Sequence, residues 1–249
     1  MGTGRMLNIK LKIAFLHFIL SMLLYIMVIA FFYEGSYSAP LDQAVGFWPI
    51  ALLLLLTVVI IGPCLTFLVY RPVKLSLKFD LSSLLLLQLV ALGYGAFVLY
   101  DARPVWLVHS VDRFELIRNN DLYVADPIPK LNPFAMSPQF SVQLAAVELS
   151  QDNKQRQADL SNAVFSGLTL SMQPSRYVSY QKVQAAALKN AYSLQDLNQF
   201  NTSADVEKIL KKYPQSHAYI PLRAKQQDQV VLINAKGAIV KIVNLRPWD

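Results

Sequence analysis

The chain has 249 residues, 54% of them apolar and 16% charged, with a mean hydropathy of +0.35 and a formal net charge of +7. That balance excludes both an intrinsically disordered chain and an ordinary water-soluble domain. The imbalance is local: residues 1–100 carry nine charged side chains and residues 101–249 carry thirty. Two parts are therefore expected, an apolar N-terminal membrane domain (1–100) and an aqueous domain (101–249) long enough to hold a core of its own.

Three stretches carry no charge, 13–33, 43–70 and 81–100. About 20 apolar residues suffice for a helix to cross the hydrocarbon core, so three transmembrane helices are predicted at about 13–33, 47–70 and 81–100. Arg5, Lys10 and Lys12 precede the first, and Arg71, Lys74 and Lys78 separate the second from the third. The break 34–46 has only Glu34 and Asp42. Positive charge is retained in the cytoplasm, which puts the N-terminus inside and residues 101–249 across the membrane. Arg103, Arg113 and Arg118 weigh against this orientation, three against six. A cleaved signal at Ser36-Tyr37-Ser38 would leave the outcome unchanged, and the first apolar run is too long for one.

Polar and small residues inside these helices mark contacts. His17, Ser21 and Tyr25 share one face of the first helix. Gly62-Pro63-Cys64 interrupts the second, where proline removes a backbone donor. Gln88 is a mid-membrane amide in the third, and Ala91 with Gly95 forms a small-xxx-small pair. His17, Ser21, Gln88, Ala91 and Gly95 are candidate contacts, within the bundle or with another protein's helix. No second ionisable group accompanies His17 in the bilayer, which argues against transport. The lone Cys64 excludes an intramolecular disulfide.

In the aqueous part, VWLVHSVDRFELI (Val105 to Ile117) reads as a strand. The run 125–140, with four prolines, is an extended connector. Residues 141–149 suggest a strand and 155–165 a helix. After Pro174 a helix is expected with Val183, Ala186, Ala187 and Tyr192 on one stripe, and Thr202 with Asp205 caps a further helix ending at Lys212. The closing QVVLINAKGAIVKIVNL is a hairpin turning at Asn234 to Gly237. Together these predict an α+β domain with an antiparallel sheet.

The chemistry on offer is sparse. His109 and His217 are the only histidines of this part, there is no cysteine, and no zinc spacing, nucleophile elbow or glycine-rich phosphate loop occurs. No catalytic, cofactor-binding or metal-binding residue is assigned, and no enzyme is expected. Arg113 and Glu115 share a strand face, as a weak ion pair or for a partner. Lys208, Lys211 and Lys212 form a solvated helix face; with this part at only +4, no nucleic-acid partner is indicated. Asn201-Thr202-Ser203 matches a glycosylation sequon.

The three helices, VDRFEL (Val111 to Leu116), YIPLRA (Tyr219 to Ala224) and the closing VVLINAKGAIVKIVNLRPW (Val230 to Trp248) together resemble the TfpX/TfpZ family of type IV pilin accessory proteins. The resemblance spans essentially the whole chain and is strongest over PLRA, the hairpin and LRPW. It implies a bacterial inner-membrane protein with a periplasmic domain. Such a protein would support pilus assembly or dynamics alongside a major pilin, whose transmembrane helix and periplasmic head would be its partners, with the lipid bilayer and other pilus assembly proteins. Arg113, Glu115, Arg223, Arg246 and Trp248 join the membrane residues as candidate contacts. The alternative is a membrane-anchored periplasmic sensing or envelope protein; a thioredoxin-like enzyme is disfavoured by the absence of external cysteine.

Overall fold

A computed structural model describes residues 3–71, 74–124 and 132–248. The side chain of Arg5 and the first seven residues of the proline-rich connector lie outside the described residues. The chain divides into two compact units, one comprising residues 1–35 and 47–101, the other residues 36–46 and 102–249. The last division falls after Asp101. Assignment of the break 36–46 to the second unit was not anticipated, since sequence alone groups it with the membrane helices.

Among the described residues three helical stretches are long and apolar enough to cross a membrane, Met6–Tyr37, Phe47–Val69 and Leu77–Asp101. The first takes in most of helix α1 (Thr3–Phe32). A short helix α2 (Leu41–Val45) lies in the following break. The second span is composite: α3 (Phe47–Leu54), a π-helical stretch (Leu55–Ile61) and α4 (Gly62–Val69). The third is α5 (Leu77–Asp101). Leu16, Leu20, Leu23, Met27, Leu86 and Leu87 are exposed, as expected where the solvent is hydrocarbon. The interior is built from Leu54, Val58, Val59 and Leu92, with Phe18, Met22 and Tyr25 packed against them.

Pro63 explains the middle of the second span. Its ring would collide with the carbonyl four residues back in an α-helix, and it has no N–H to give. The turns ahead of it widen instead into the π form over Leu55–Ile61.

The second unit is an α+β domain whose described strands form one sheet, in the order β4 (Tyr177–Val178), β3 (Gln143–Val147), β1 (Pro104–Ser110), β2 (Arg113–Arg118), β6 (Ala218–Arg223), β7 (Gln229–Ile233) and β8 (Ile239–Val243), with β5 (Tyr192–Ser193) on β6. The expected single strand 105–117 is a hairpin of β1 and β2. Its turn is Val111-Asp112, with Val111 at φ 59°, a conformation that β-branched residues rarely adopt. Most pairings are antiparallel, as expected, while β3 runs parallel to β1 and β6 parallel to β2.

Strand β6 has Pro221 in its interior. One of its edges pairs with β7 from Ala218 to Leu222; the other pairs with β5 at Ala218 and Tyr219 and with β2 from Leu222. Pro221, lacking a donor, stands where that second edge changes partner.

Helix α6 (Asn153–Phe165) lies where expected. Helix α7 (Tyr180–Lys189) ends sooner than the proposed stripe: Tyr180 and Ala187 are buried, Ala186 is exposed, and Tyr192 falls in β5. Helix α8 (Ser203–Lys212) has the predicted cap, the Asp205 N–H donating to Thr202 Oγ1 at 3.3 Å. The terminal hairpin turns on Asn234, whose Oδ1 accepts from the N–H groups of Lys236 and Ala238. Gly237 adopts φ +75°, and an added Cβ would lie 2.9 Å from the Gln184 carbonyl oxygen. Only glycine lets α7 close on that turn, where the Tyr180 hydroxyl and the Gln184 amide donate to the Gly237 and Lys236 carbonyls.

Among the described residues the core of this unit has two centres. Trp106 packs edge-on against Phe134 and Tyr177, among Val105, Val108, Ile117, Ala145 and Val147. Leu197, Val206, Tyr219, Val230, Leu232, Val243 and Leu245 form the other.

His109 is buried on β1 between the rings of Phe114 and Tyr180. Burial lowers its pKa, opposed by the charge of Asp112. A folded value below the ordinary 6.5 means that its contribution to stability is complete above about pH 6.5 and is lost as pH falls through the folded value. Denaturation of the full chain in detergent at pH 7.5 and 5.5 should show an acid loss that His109→Phe flattens. An undiminished loss in that variant would refute the assignment.

Candidate functional site

His17, Ser21 and Tyr25 of the first span each meet another span. His17 Nδ1 shares a 2.7 Å hydrogen bond with Thr66 Oγ1, and the Tyr25 hydroxyl donates to the Ala51 carbonyl at 3.1 Å. Ser21 Oγ accepts from Gln88 Nε2 at 3.0 Å. Sequence put His17, Ser21 and Tyr25 on one face, and that face is the seam of the bundle; what it did not indicate was Thr66.

Gln88 Nε2 also donates to the Val58 carbonyl at 2.5 Å. In an i to i+5 pattern the partner of Val58 would be residue 63, and Pro63 has no N–H. The side chain from the third span supplies the missing donor. Gly62 makes room for it, since a Cβ there would lie 2.3 Å from Gln88 Nε2. Gly95 likewise admits Leu54, whose Cδ1 would be 2.4 Å from an added Cβ.

Two shallow apolar hollows flank Gln88. One, of about 120 Å³, lies between the first and third spans, with Leu20, Leu24, Leu85 and Leu89 over His17 and Ser21. The other, of about 220 Å³, includes Thr57, Gly62, Leu84, Leu87 and Ala91. Of the five membrane residues singled out from sequence, four bond or pack within the bundle, and Ala91 lines the second hollow.

In the second unit the parallel pairing of β2 with β6 aligns Glu115 with Arg223. Glu115 Oε2 accepts from the hydroxyls of Ser171 and Thr169, and Oε1 lies 3.9 Å from Arg113 Nε. Glu115 and Arg223 both line a cleft of about 390 Å³ with Asp121, Ala163, Gly167, Thr169, Met172 and Lys225. Asp121 is held by Arg118 in two hydrogen bonds of 2.9 Å. Burial would raise its pKa, but the hydrogen bonds and charge of Arg118 outweigh that and hold the carboxyl below its ordinary range.

Arg246 and Trp248 serve the domain itself. Asn201 bonds both the N–H and the carbonyl of Arg246, each at 2.8 Å, and Trp248 Nε1 donates to Asp228 at 2.7 Å. Asn201 Nδ2 also donates to the Leu197 carbonyl, so the sequon's amide is already engaged. The lysine face of α8 is exposed, with Lys211 paired to Glu207 at 2.7 Å. No group of three or more metal-ligating side chains occurs among the described residues.

The chain is 30% identical over 209 residues to the fimbrial assembly protein of serogroup E1 of Dichelobacter nodosus, covering 81% of this chain and 80% of that protein. It belongs to the fimbrial assembly proteins. The serogroup I protein of the same organism is 29% identical over 224 residues, covering 88% of this chain and 77% of that protein. The protein of serogroups C1 and C2 matches at 30% over 122 residues, 48% of this chain and 92% of its own. No family model matches, and no solved structure matches. For this fimbrial assembly protein, the match with the serogroup I protein takes in most of the chain, so it extends beyond either unit alone.

Proposed function

We propose that this chain is a non-enzymatic accessory protein of type IV pilus biogenesis, of the TfpX/TfpZ kind. It resides in a bacterial inner membrane, with the N-terminus in the cytoplasm and the second unit in the periplasm, and it contacts the major pilin. The observation that carries this reading is kinship with fimbrial assembly proteins over about four-fifths of the chain.

The arrangement of the residues supports it. A pilin subunit awaiting assembly has one apolar helix in the bilayer and a head outside, so its partner needs surface in both places. The hollow between the first and third spans is an apolar groove in which a single helix would rest against Leu20, Leu24, Leu85 and Leu89. His17, Ser21 and Gln88 act there indirectly, by fixing the spans that form its walls.

Photo-crosslinkers at Leu20, Leu24, Leu85 and Leu89 in living cells should trap a pilin-sized adduct. Self-adducts alone across the full scan would sink the membrane contact. Deleting the gene should reduce surface pili and twitching, and normal pili and motility in the deletion strain would overturn the role in that organism.

A further inference from the structure

Helix α6 is held in an unusual way. Among its thirteen residues the only buried one is Asp159. The Asp159 carboxylate accepts from Arg176 Nη1 at 3.2 Å and Nη2 at 3.0 Å, and from Gln155 Nε2 at 2.9 Å. Arg156 bonds the Ser150 carbonyl, and Asp152 caps the first turn through the Lys154 N–H. A surface helix ordinarily docks through its apolar stripe; α6 is anchored by its polar groups.

The stripe is left open. Leu160, Val164 and Phe165 are 59%, 76% and 86% exposed. Ala163, on the same face as Leu160 and Val164 by the spacing i, i+3 and i+4, and Gly167, in the turn after the helix, line the cleft described above. The ridge and the cleft are therefore continuous.

Within that cleft the carboxylates are hydrogen-bonded, whereas the two cations make no direct ion pair, Lys225 acting on Asp121 only at longer range. Asp121 is taken by Arg118, and Glu115 by Ser171, Thr169 and Arg113. Arg223 and Lys225 are exposed, and neither forms an ion pair among the described residues. The matching surface would carry apolar side chains beside a carboxylate.

We propose that the α6 ridge and the Arg223 and Lys225 wall of the adjoining cleft form the docking site for the water-exposed head of the pilin. The site takes an acidic side chain into the cleft and apolar side chains onto Leu160, Val164 and Phe165. This rests on the function proposed above. A lipid surface is less suited, because the cationic groups line a recess that a protruding side chain enters and a plane of headgroups does not.

The test is a photo-crosslinker at Val164 of the full-length protein in cells producing pilin. A pilin adduct is expected, reduced at least tenfold by Arg223→Glu and recovered by the Arg223→Lys variant. The thermal midpoint of purified R223E, unchanged from wild type, would exclude unfolding as the cause. The Leu20 crosslinker reports independently: pilin trapped at Leu20 with none at Val164 overturns the docking site and leaves the proposed function standing, whereas none at either position removes both. Adducts at Val164 to lipid or to a second copy alone, or an adduct indifferent to Arg223→Glu, would also overturn the docking site.

Discussion

Replacing Gly62 by alanine should destabilise the membrane bundle by about 1–3 kcal/mol, the usual cost of forcing a methyl into a packed interior. The added Cβ would lie 2.3 Å from Nε2 and 2.6 Å from Cδ of Gln88, displacing the amide that Val58 and Ser21 both use. Gln88→Ala should by itself cost roughly 1–2 kcal/mol, since it removes an interhelical hydrogen bond and leaves the Val58 carbonyl without its donor in hydrocarbon. The two changes should not add. With Gln88 shortened, the Gly62 methyl has space, so the double variant should lie close to Gln88→Ala alone. Unfolding of the detergent-purified variants by SDS titration measures the cycle, and additive effects would show that Gly62 and Gln88 are not coupled.

A comparably large effect is expected from the break between the first two spans. Gln229, wholly buried, donates from Nε2 to the Pro40 carbonyl at 2.8 Å. The N–H groups of Gln226 and Gln227 reach the Ala44 carbonyl at 2.9 and 3.3 Å, and Asn244 Nδ2 donates to Gln43 Oε1 at 2.7 Å. Substituting residues 37–45 with a glycine-serine linker of equal length removes the Gln43 acceptor and the ordered backbone that presents the Pro40 and Ala44 carbonyls, so that all four are lost. At about 0.5–1.5 kcal/mol per hydrogen bond, with a further 1–3 for a buried amide left unpaired, the loss is about 3–9 kcal/mol. That is a large share of the roughly 5–15 kcal/mol that holds a typical domain together. Hydrogen exchange across residues 218–244 should accelerate accordingly, and unchanged protection would mean that the segment is only a connector.

The features that could be read in advance obey local rules. Spans announce themselves by the absence of charge, the last hairpin by Asn234 and Gly237, and α8 by its Thr202 cap. Each depends on residues close together in the chain. The hairpin of β1 and β2 was hidden because its turn is Val111-Asp112, and valine in the left-handed region is not a turn signal. Strand β6 was hidden by Pro221, which ordinarily argues against an inner strand and is tolerated where the ladder changes partner. The candidate contacts separated in the same way. His17, Ser21 and Gln88 could be picked out as costly groups in hydrocarbon, but their partners Thr66 and the Val58 carbonyl depend on helix packing. The openness of Leu160, Val164 and Phe165 could not be foreseen, since it follows from an anchor at Asp159 whose partner Arg176 lies beyond the helix.

The hydrogen bonds at Pro40 and Gln43 also impose an order of events on synthesis. They join groups 189 and 201 residues apart, so the early segment leaves the ribosome long before its partners exist. At about 5–20 residues per second, its acceptors wait some ten seconds or more for Gln229 and Asn244. A nascent chain halted before β7 has its spans but lacks the strands that hold the segment. This junction is therefore completed only in chains translated past Asn244, which makes it a point at which a quality-control protease could tell finished molecules from unfinished ones.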